Sequence, residues 1–189
     1  MVRDSLYSER VAVSSTVVSR VTNVAKIATP GIELAVQTND WLLHDLALQA
    51  SLTWADSRIR ENAGYVTNPN DTLGKYQPRV PQWRASAEAD YRWNQYWTMT
   101  VGARYSGPQY STLDNSDPNG YAYQGASPYV VTDLRLRYQS SSHWHAALGI
   151  DNLGNYQYWN FHPYPRRSWL LQWGWDFMGP RESAGVDGR

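Results

Sequence analysis

The side chains best suited to catalysis or metal binding in this chain are four histidines, His44, His143, His145 and His162. There is no cysteine, which excludes disulfides and thiolate metal sites. His143 and His145 share one face if their segment is a strand, but no carboxylate stands near them at a metal-ligand spacing. We therefore expect solvated histidines and no metal site.

Two acids on one strand face are the other candidate for chemistry. Glu88 and Asp90 are two residues apart, so a strand would place both on the same side, as in an acid–base pair. Arg84 and Arg92 share that face, and we expect ion pairs with them. The sequence contains no phosphate-binding glycine loop, nucleophile elbow or HExxH-type motif. It predicts neither an enzyme nor a cofactor.

The overall composition narrows the class of protein. The 189 residues carry 17 basic and 17 acidic side chains with no basic block, which argues against a nucleic-acid partner. The chain has ten Trp and 14 Tyr but only two Phe, so most of its aromatic side chains carry a hydrogen-bonding group. Such side chains suit a membrane–water boundary or a carbohydrate surface. The sequence contains no run of about 18 apolar residues, so it predicts no transmembrane helix. Met1–Ser8 lacks the apolar core of a signal peptide.

Alternation of apolar and polar residues dominates the chain. It is clearest in Ser168–Phe177, where Trp169, Leu171, Trp173, Trp175 and Phe177 share one face. Seven further segments alternate in the same way: a weaker one near Leu6–Val13, then Gly31–Thr38, Leu46–Ile59, Trp83–Trp93, Trp97–Tyr105, Val130–Tyr138 and Trp144–Ile150. The chain is therefore predicted to be all-β, with about eight strands.

The connections between these segments alternate in length. Three are short, at Asn39–His44, Asn94–Tyr96 and Gln139–His143. Three are long and rich in Gly, Pro and Asn, at Glu61–Pro81, Gly107–Pro128 and Asn152–Arg167. Short turns on one side and long loops on the other are typical of a transmembrane barrel. We predict an antiparallel up-and-down meander forming a partial transmembrane β-barrel, either a curved open sheet or a small closed barrel.

The aromatic and charged side chains fit that architecture. Aromatics gather where strands meet turns, as expected of two girdles around a lipid-facing band. The opposite faces carry charges such as Arg104, Asp133 and Arg135, which a wet interior accommodates and a dry core does not. Both features have another interpretation, in which the aromatics form the core of a soluble β-protein and the charges its solvated face.

Several segments resemble the C-terminal barrel strands of TonB-dependent outer-membrane receptors. They are Thr29–Leu34, Arg79–Arg84, Tyr105–Asp117, Asp151–Trp159 and Phe161–Ser168, and the resemblance covers nearly all of residues 1–177. The terminal strand is similar to the aromatic-ended signal that the barrel-assembly machinery recognises, here Trp169, Leu171, Trp173, Trp175 and Phe177.

The resemblance implies energy-coupled import of ferric siderophores or similar nutrients across a Gram-negative outer membrane. Such receptors combine an N-terminal plug with a large barrel. The sequence departs from that pattern because it lacks a signal peptide, a TonB-contacting box and a plug, and has only about eight strands. We expect residues 1–177 to be a barrel portion and residues 178–189 a disordered tail. The expected partners are outer-membrane lipid, the missing plug and strands, the assembly machinery and, through the missing N-terminal region alone, TonB.

The resemblance also implies a place for a ligand. Aromatic side chains in the predicted outer loops could stack on a ferric siderophore: Tyr110, Tyr121, Tyr123, Tyr129, Trp159, Phe161 and His162. The alternative for each is interfacial anchoring or loop packing. A barrel portion of this kind should not transport alone.

Two other classes of protein remain open at this point. An open sheet leaves unpaired edges that cost several kcal/mol per group in hydrocarbon, so the strands must pair with missing ones or close. A self-closed eight-stranded barrel with a structural or adhesive role would satisfy this, and should migrate in a heat-modifiable way. A soluble carbohydrate-binding β-sandwich would instead fold in plain buffer and cover its aromatic faces with a second sheet.

Overall fold

A computed structural model describes residues 1–13, 16–64, 71–117, 119–140, 143–175 and 177 of the chain. The predicted tail at residues 178–189 lies outside them. Within the described ranges no helix is long and apolar enough to cross a membrane. These described residues form twelve strands: β1 (Val2–Val13), β2 (Thr16–Ala28), β3 (Gly31–Asn39), β4 (Leu46–Ala55), β5 (Arg58–Glu61), β6 (Trp83–Arg92), β7 (Trp97–Ser106), β8 (Tyr129–Gln139), β9 (Trp144–Asp151), β10 (Trp159–Asn160), β11 (His162–Pro163) and β12 (Ser168–Trp175). The prediction of an all-β chain is confirmed.

Seven of these strands form one antiparallel sheet in the order β12-β9-β8-β7-β6-β4-β3. Each strand pairs with the next long strand of this sheet along the chain, so the sheet is an up-and-down meander. In the part of the chain that the structure describes, β3 and β12 are edges, so the sheet is open. Of the two predicted forms, the open sheet is the one found. The three short turns and three long loops also fall where the sequence predicts them.

The register places the alternating residues on two consistent faces. One row of paired residues joins Thr38, Leu48, Ala89, Val101, Leu134, Ile150 and Trp169. The adjacent row on the other side of the sheet joins Gln37, Gln49, Glu88, Gly102 and Asp133. We call the first side the apolar face and the second the polar face. A one-residue slip in any strand would mix them, so the hydrophobic pattern fixes the register.

A smaller sheet, in the order β1-β2-β5, lies beside the long loops. It carries the buried apolar core of the described residues, made of Val24, Ile27, Ile59 and Leu113, with Tyr7 packed against it. Leu113 comes from the second long loop, so this core joins the loop to the sheet. The strands β2 and β5 continue β3 and β4 past short breaks, because Ala28 pairs with Arg58 and Gly31 with Ala55.

The sequence did not predict β2, and the predicted strand Leu46–Ile59 is divided into β4 and β5. Apolar residues in β2 recur at Val18, Val21, Val24 and Ile27, every third position, and thus lack the period of two. Its pairing with β5 also shifts register between Lys26 and Ile27, where β5 has one extra residue, Arg60. Pairing with β1 over eleven residue pairs forms the strand despite this pattern.

Candidate functional site

The second and third long loops join through a short backbone ladder. Ser127 N donates to Trp159 O (3.0 Å), and Phe161 N donates to Gly125 O (2.8 Å). Gln124 N in turn donates to Phe161 O (2.8 Å). Phe161 therefore sits at the tip of the β10–β11 turn, with a left-handed backbone (φ 69°) that is unusual for a residue with a side chain.

Four aromatic rings meet at this tip, and we call them the outer aromatic cluster: Tyr123, Trp159, Phe161 and His162. Tyr123 contacts Trp159 edge-on, with ring centroids 5.2 Å apart, and lies 5.9 Å from His162. Phe161 and His162 are 4.8 Å apart in the same geometry. Tyr123 remains 69 % exposed, so the cluster presents an aromatic surface to solvent. All four belong to the predicted ligand-binding set.

Arg79 connects the first long loop to this cluster. Its guanidinium carbon lies 4.8 Å from the centre of the Phe161 ring, and its backbone N–H donates to Tyr110 O (2.8 Å). The Arg79 backbone is also left-handed (φ 62°). The second and third long loops therefore supply the outer aromatic cluster, and the first supplies the exposed cation that borders it.

Tyr110 lies apart from the cluster, in a polar network at the base of the loops. Its ring stacks on Tyr76 with centroids 6.0 Å apart, and the Arg58 guanidinium covers the Tyr76 ring at 4.2 Å. Arg58 Nε donates to both oxygens of Asp56 (2.9 and 3.0 Å) and Nη2 donates to Tyr76 Oη (2.8 Å). The hydrogen bond with Asp56, more than any other contact, raises the pKa of the Arg58 guanidinium above its ordinary value. Arg58 therefore serves as a permanent cation within the loop base.

The other two predicted ligand residues also lie outside the cluster. Tyr121 and Tyr156 share a hydrogen bond between their hydroxyls (3.0 Å). Tyr129 packs against Tyr158 at 4.5 Å, and burial raises the pKa of the Tyr158 hydroxyl. Tyr164 also stacks on Tyr158, with ring centroids 4.8 Å apart. The structure thus brings four of the seven predicted residues together. It places Tyr110 and Tyr129 in separate ring contacts and Tyr121 in a hydroxyl hydrogen bond with Tyr156.

Sequence reasoning missed the side chains that hold the loops in shape. Asn152 is buried, accepts from Tyr156 N at Oδ1 (2.9 Å) and donates from Nδ2 to Tyr156 O (2.7 Å). Asn115 bonds the backbone of Tyr76 in the same way: its Oδ1 accepts from Tyr76 N (2.7 Å) and its Nδ2 donates to Tyr76 O (3.0 Å). Asp117 accepts from Thr112 N (2.9 Å). The signal was present, because Asn and Asp commonly stabilise turns through such bonds.

The polar face pairs its charges across strands. Arg104 contacts Asp133 at 3.0 Å, and Arg135 contacts Asp151 at 2.5 Å. The expected pairs of Glu88 and Asp90 with Arg84 and Arg92 are replaced by other contacts. Gln49 donates to Glu88 (2.7 Å), Thr100 donates to Asp90, and Arg92 lies 3.7 Å from Asp45. For Glu88 the reason is distance, since each arginine is four residues away, about 13 Å along the strand. Asp90 and Arg92 are only two residues apart, about 7 Å, but each has a partner on a neighbouring element instead.

The aromatic residues near the short turns form a continuous band. Trp97 and Trp144 flank Tyr138 with ring centroids 4.8 and 4.9 Å away, and Trp173 lies 6.4 Å from Trp175. Phe177 follows β12, which ends at Trp175, and is 92 % exposed.

The apolar face of β12 has no protein layer over it. Trp169, Leu171 and Trp173 are 64, 79 and 66 % exposed. The second layer that a soluble sandwich requires is therefore absent from the described residues. Nor do those residues contain a group of three His, Asp or Glu side chains able to hold a metal ion.

The open meander, its single apolar face and its unequal loops define the class of the protein, a wall segment of a transmembrane β-barrel. Residues 2–153 match the family model described as TonB dependent receptor-like, beta-barrel. The chain belongs to this family, whose members lie in the outer membrane and act as transport receptors.

Solved structures of such receptors share the fold. The siderophore receptor PiuA of Acinetobacter baumannii is 23 % identical, and the match covers 86 % of this chain and 22 % of PiuA with a TM-score of 0.63. BauA, the ferric preacinetobactin receptor of the same organism, is 18 % identical; the match covers 92 % of this chain and 26 % of BauA with a TM-score of 0.65. The ferric citrate transporter FecA is 17 % identical; the match covers 81 % of this chain and 24 % of FecA with a TM-score of 0.64. The chain spans about a quarter of the length of these receptors. Among curated proteins, the comparison found no match.

Proposed function

We propose that this chain supplies wall strands and outer loops to a TonB-dependent receptor that imports ferric siderophores or similar nutrients through a Gram-negative outer membrane. The observation that carries the proposal is the seven-stranded sheet with one exposed apolar face, in a chain that belongs to this receptor family. Residues 1–177 form the barrel portion. The edges of β3 and β12 pair with other strands of the barrel, because unpaired backbone groups are too costly in hydrocarbon.

Import requires parts beyond this sheet. A plug would fill the barrel, and TonB would contact the receptor through the region that precedes the barrel strands. The wall segment alone does not transport. The DNA flanking the coding segment provides the first test: an adjoining plug and further strands support the proposal, and a flanking sequence with neither argues against it.

The outer aromatic cluster is the part of the chain that contacts the ligand. Tyr123, Trp159, Phe161 and His162 present π-surface beside the Arg79 cation, a combination that suits an anionic ligand with aromatic or flat chelate surface. Tyr110 and Tyr129 make ring contacts elsewhere, and Tyr121 makes a hydroxyl hydrogen bond with Tyr156. Their contribution is to hold the loops that carry the cluster.

Uptake of radioactive iron by the complete receptor tests this assignment. Supplied as catecholate, hydroxamate or citrate complexes, the iron should enter cells more slowly with Trp159→Ala or Tyr123→Ala. Trp93→Ala is the matched control, since the Trp93 side chain is as exposed as that of Tyr123 (69 % each) but lies at the short-turn end of the sheet. Unchanged uptake in both loop variants would contradict the ligand assignment without affecting the wall assignment.

The terminal strand serves barrel assembly in this proposal. Its signal residues are Trp169, Leu171, Trp173, Trp175 and Phe177. Four of them lie on the exposed apolar side of β12, and Phe177 follows the strand. Loss of the Phe177 ring should lower the amount of receptor in the outer membrane and leave the uptake rate per assembled receptor unchanged.

A further inference from the structure

The turn between β3 and β4 carries three consecutive large apolar side chains that no other described part of the chain covers. Trp41, Leu42 and Leu43 are 73, 60 and 60 % exposed. The neighbouring β6–β7 turn instead places the polar residues Asn94 and Gln95 at its tip. Isolated exposed apolar residues are normal on protein surfaces, but a contiguous group indicates contact with another phase or molecule.

The turn is built to present these side chains. Asp40 and Asp45 both adopt left-handed backbones, with φ of 54° and 62°. Asp40 Oδ1 accepts from Asp45 N (2.6 Å), and Asp40 N donates to Leu46 O (2.9 Å). The two acids also have cationic or titratable neighbours, because His44 lies within 3.6 Å of both and Arg92 lies 3.7 Å from Asp45. The polar groups at the base are thus partnered, and the tip is apolar.

The apolar tip is continuous with the apolar face of the sheet. Trp41, Val36, Thr38 and Leu48 border an open depression of about 400 Å³ whose lining is almost entirely apolar and includes Ala87. The turn also lies at the same end of the sheet as the aromatic band of Trp97, Tyr138 and Trp144. Any lipid in contact with the face therefore reaches the turn without crossing a polar boundary.

We propose that Trp41, Leu42 and Leu43 insert into the periplasmic leaflet of the outer membrane and contact phospholipid, as an anchor that extends the lipid-facing surface beyond the strands. The inference rests on the proposed function, in which the apolar face contacts lipid. The Trp41 indole suits the headgroup boundary because it combines a large apolar ring with one N–H donor, and the two leucines suit the acyl region beneath it.

Site-specific labelling of the complete receptor tests the anchor, and this chain contributes no cysteine of its own. Any cysteine elsewhere in the receptor is first replaced by serine. An environment-sensitive fluorophore is then attached in three variants, Leu42→Cys, Gln95→Cys and Val101→Cys, in receptor reconstituted into phosphatidylethanolamine–phosphatidylglycerol vesicles. Nitroxide-labelled phospholipid quenches labels in the bilayer, and iodide quenches labels in water. Gln95 is the control at the same end, at the polar tip of a turn whose base carries Trp93 and Tyr96, and Val101 reports on the apolar face itself. We expect nitroxide to quench the label at position 42 several-fold more than the label at position 95, with the reverse order for iodide.

Three results would overturn the inference, each in a distinct way. Equal iodide quenching at positions 42 and 95, with position 101 in lipid, would place the turn in water while the wall assignment stands. Protection of position 42 from both quenchers would show that protein, such as a second copy of the chain, covers the turn. Failure of nitroxide to quench position 101 would remove the wall assignment, and the anchor with it.

Discussion

Phe161 combines a strained backbone with a stabilising ring contact. Its φ of 69° is costly for any residue with a Cβ atom, by about 1–2 kcal/mol. Its ring lies under the Arg79 guanidinium at 4.8 Å, a contact that gains about 0.5–1 kcal/mol at an exposed site. The strain persists because the ladder with Gly125 and Gln124 fixes the turn on both sides.

Two substitutions at Phe161 separate these effects. Both Phe161→Ala and Phe161→Gly remove the ring, but only glycine relieves the left-handed strain. Glycine also loses about 0.5–1 kcal/mol through its greater freedom in the unfolded chain. The strain that alanine keeps exceeds the entropic cost of glycine. We therefore expect the glycine variant to be the more stable of the two by about 0.5–1 kcal/mol. Hydrogen exchange of the amide at position 161 measures it, and an alanine variant of equal or greater protection would contradict the strain argument.

Asp114 makes the second long loop sensitive to acid. Burial raises the pKa of its carboxyl, but hydrogen bonds from Ser116 and Thr112 outweigh burial and hold the pKa below its ordinary value. A carboxyl with a lowered folded-state pKa contributes stability that is present above the unfolded pKa, about 3.9, and is lost as pH falls through the folded value.

We therefore expect the loop around residues 111–117 to loosen below about pH 4 and to show no change between pH 5 and 8. Protease cleavage within the loop measures this. Asp114→Asn, which cannot titrate, is the control and should remove the part of the acid response that arises at this carboxyl. A loop that loosens near neutral pH instead would contradict the assignment.

Among the elements, the turn at Asp151–Asn155 determines the shape of the third long loop. Asn152 has a left-handed backbone (φ 52°), and its side chain bonds both the N–H and the carbonyl of Tyr156. Asn155 Oδ1 then accepts from Arg167 N (3.1 Å), next to the start of β12. The turn thus links β9, the loop carrying the outer aromatic cluster, and the terminal strand.

Replacing Asn152 with alanine should destabilise this loop strongly. Two hydrogen bonds worth about 0.5–1.5 kcal/mol each are lost, and alanine keeps the left-handed backbone without the side-chain bonds that let asparagine adopt it. We expect a total cost of about 1–3 kcal/mol, measured by urea unfolding of the receptor. Leu153→Ala, at a neighbouring residue that is 40 % exposed, should cost less than about 0.5 kcal/mol. Similar costs at both positions would show that the asparagine does not organise the loop.

A period of two in the sequence predicts some strands of this chain and misses others. Strands of the large sheet were predicted because their faces differ in polarity, and the register then follows from keeping those faces apart. β2 was not predicted, since its apolar residues recur every third position. Its partner β5 is also distant in sequence, although β1 directly precedes it. The same limit applies to Arg92, whose contact with Asp45 depends on which strands are neighbours. Cross-strand partners cannot be predicted from spacing along one strand.

At the scale of the whole molecule, the candidate site depended on contacts among all three long loops. The sequence predicted aromatic residues in those loops, including Tyr123, Trp159, Phe161 and His162. It could not distinguish them from Tyr110, Tyr121 and Tyr129, because only the ladder between residues 124–127 and 159–161 brings the first four together. Arg79 was missed as a neighbour of the cluster, since 82 residues separate it from Phe161.

The central claim is that the apolar face contacts lipid and the polar face a wet interior, and two adjacent residues of β4 test it most directly. Ala50 lies on the apolar face between Val36 and Ala87, and Gln49 lies on the polar face, 2.7 Å from Glu88.

The measurement is the free energy of unfolding of the receptor in bilayers, with arginine at each position. Ala50→Arg should cost about 2–4 kcal/mol, the value for a cation near the bilayer midplane. Gln49→Arg should change stability by less than about 0.5 kcal/mol, because arginine there meets water and a carboxylate. Equal costs, or a larger cost at Gln49, would contradict the assignment of the faces.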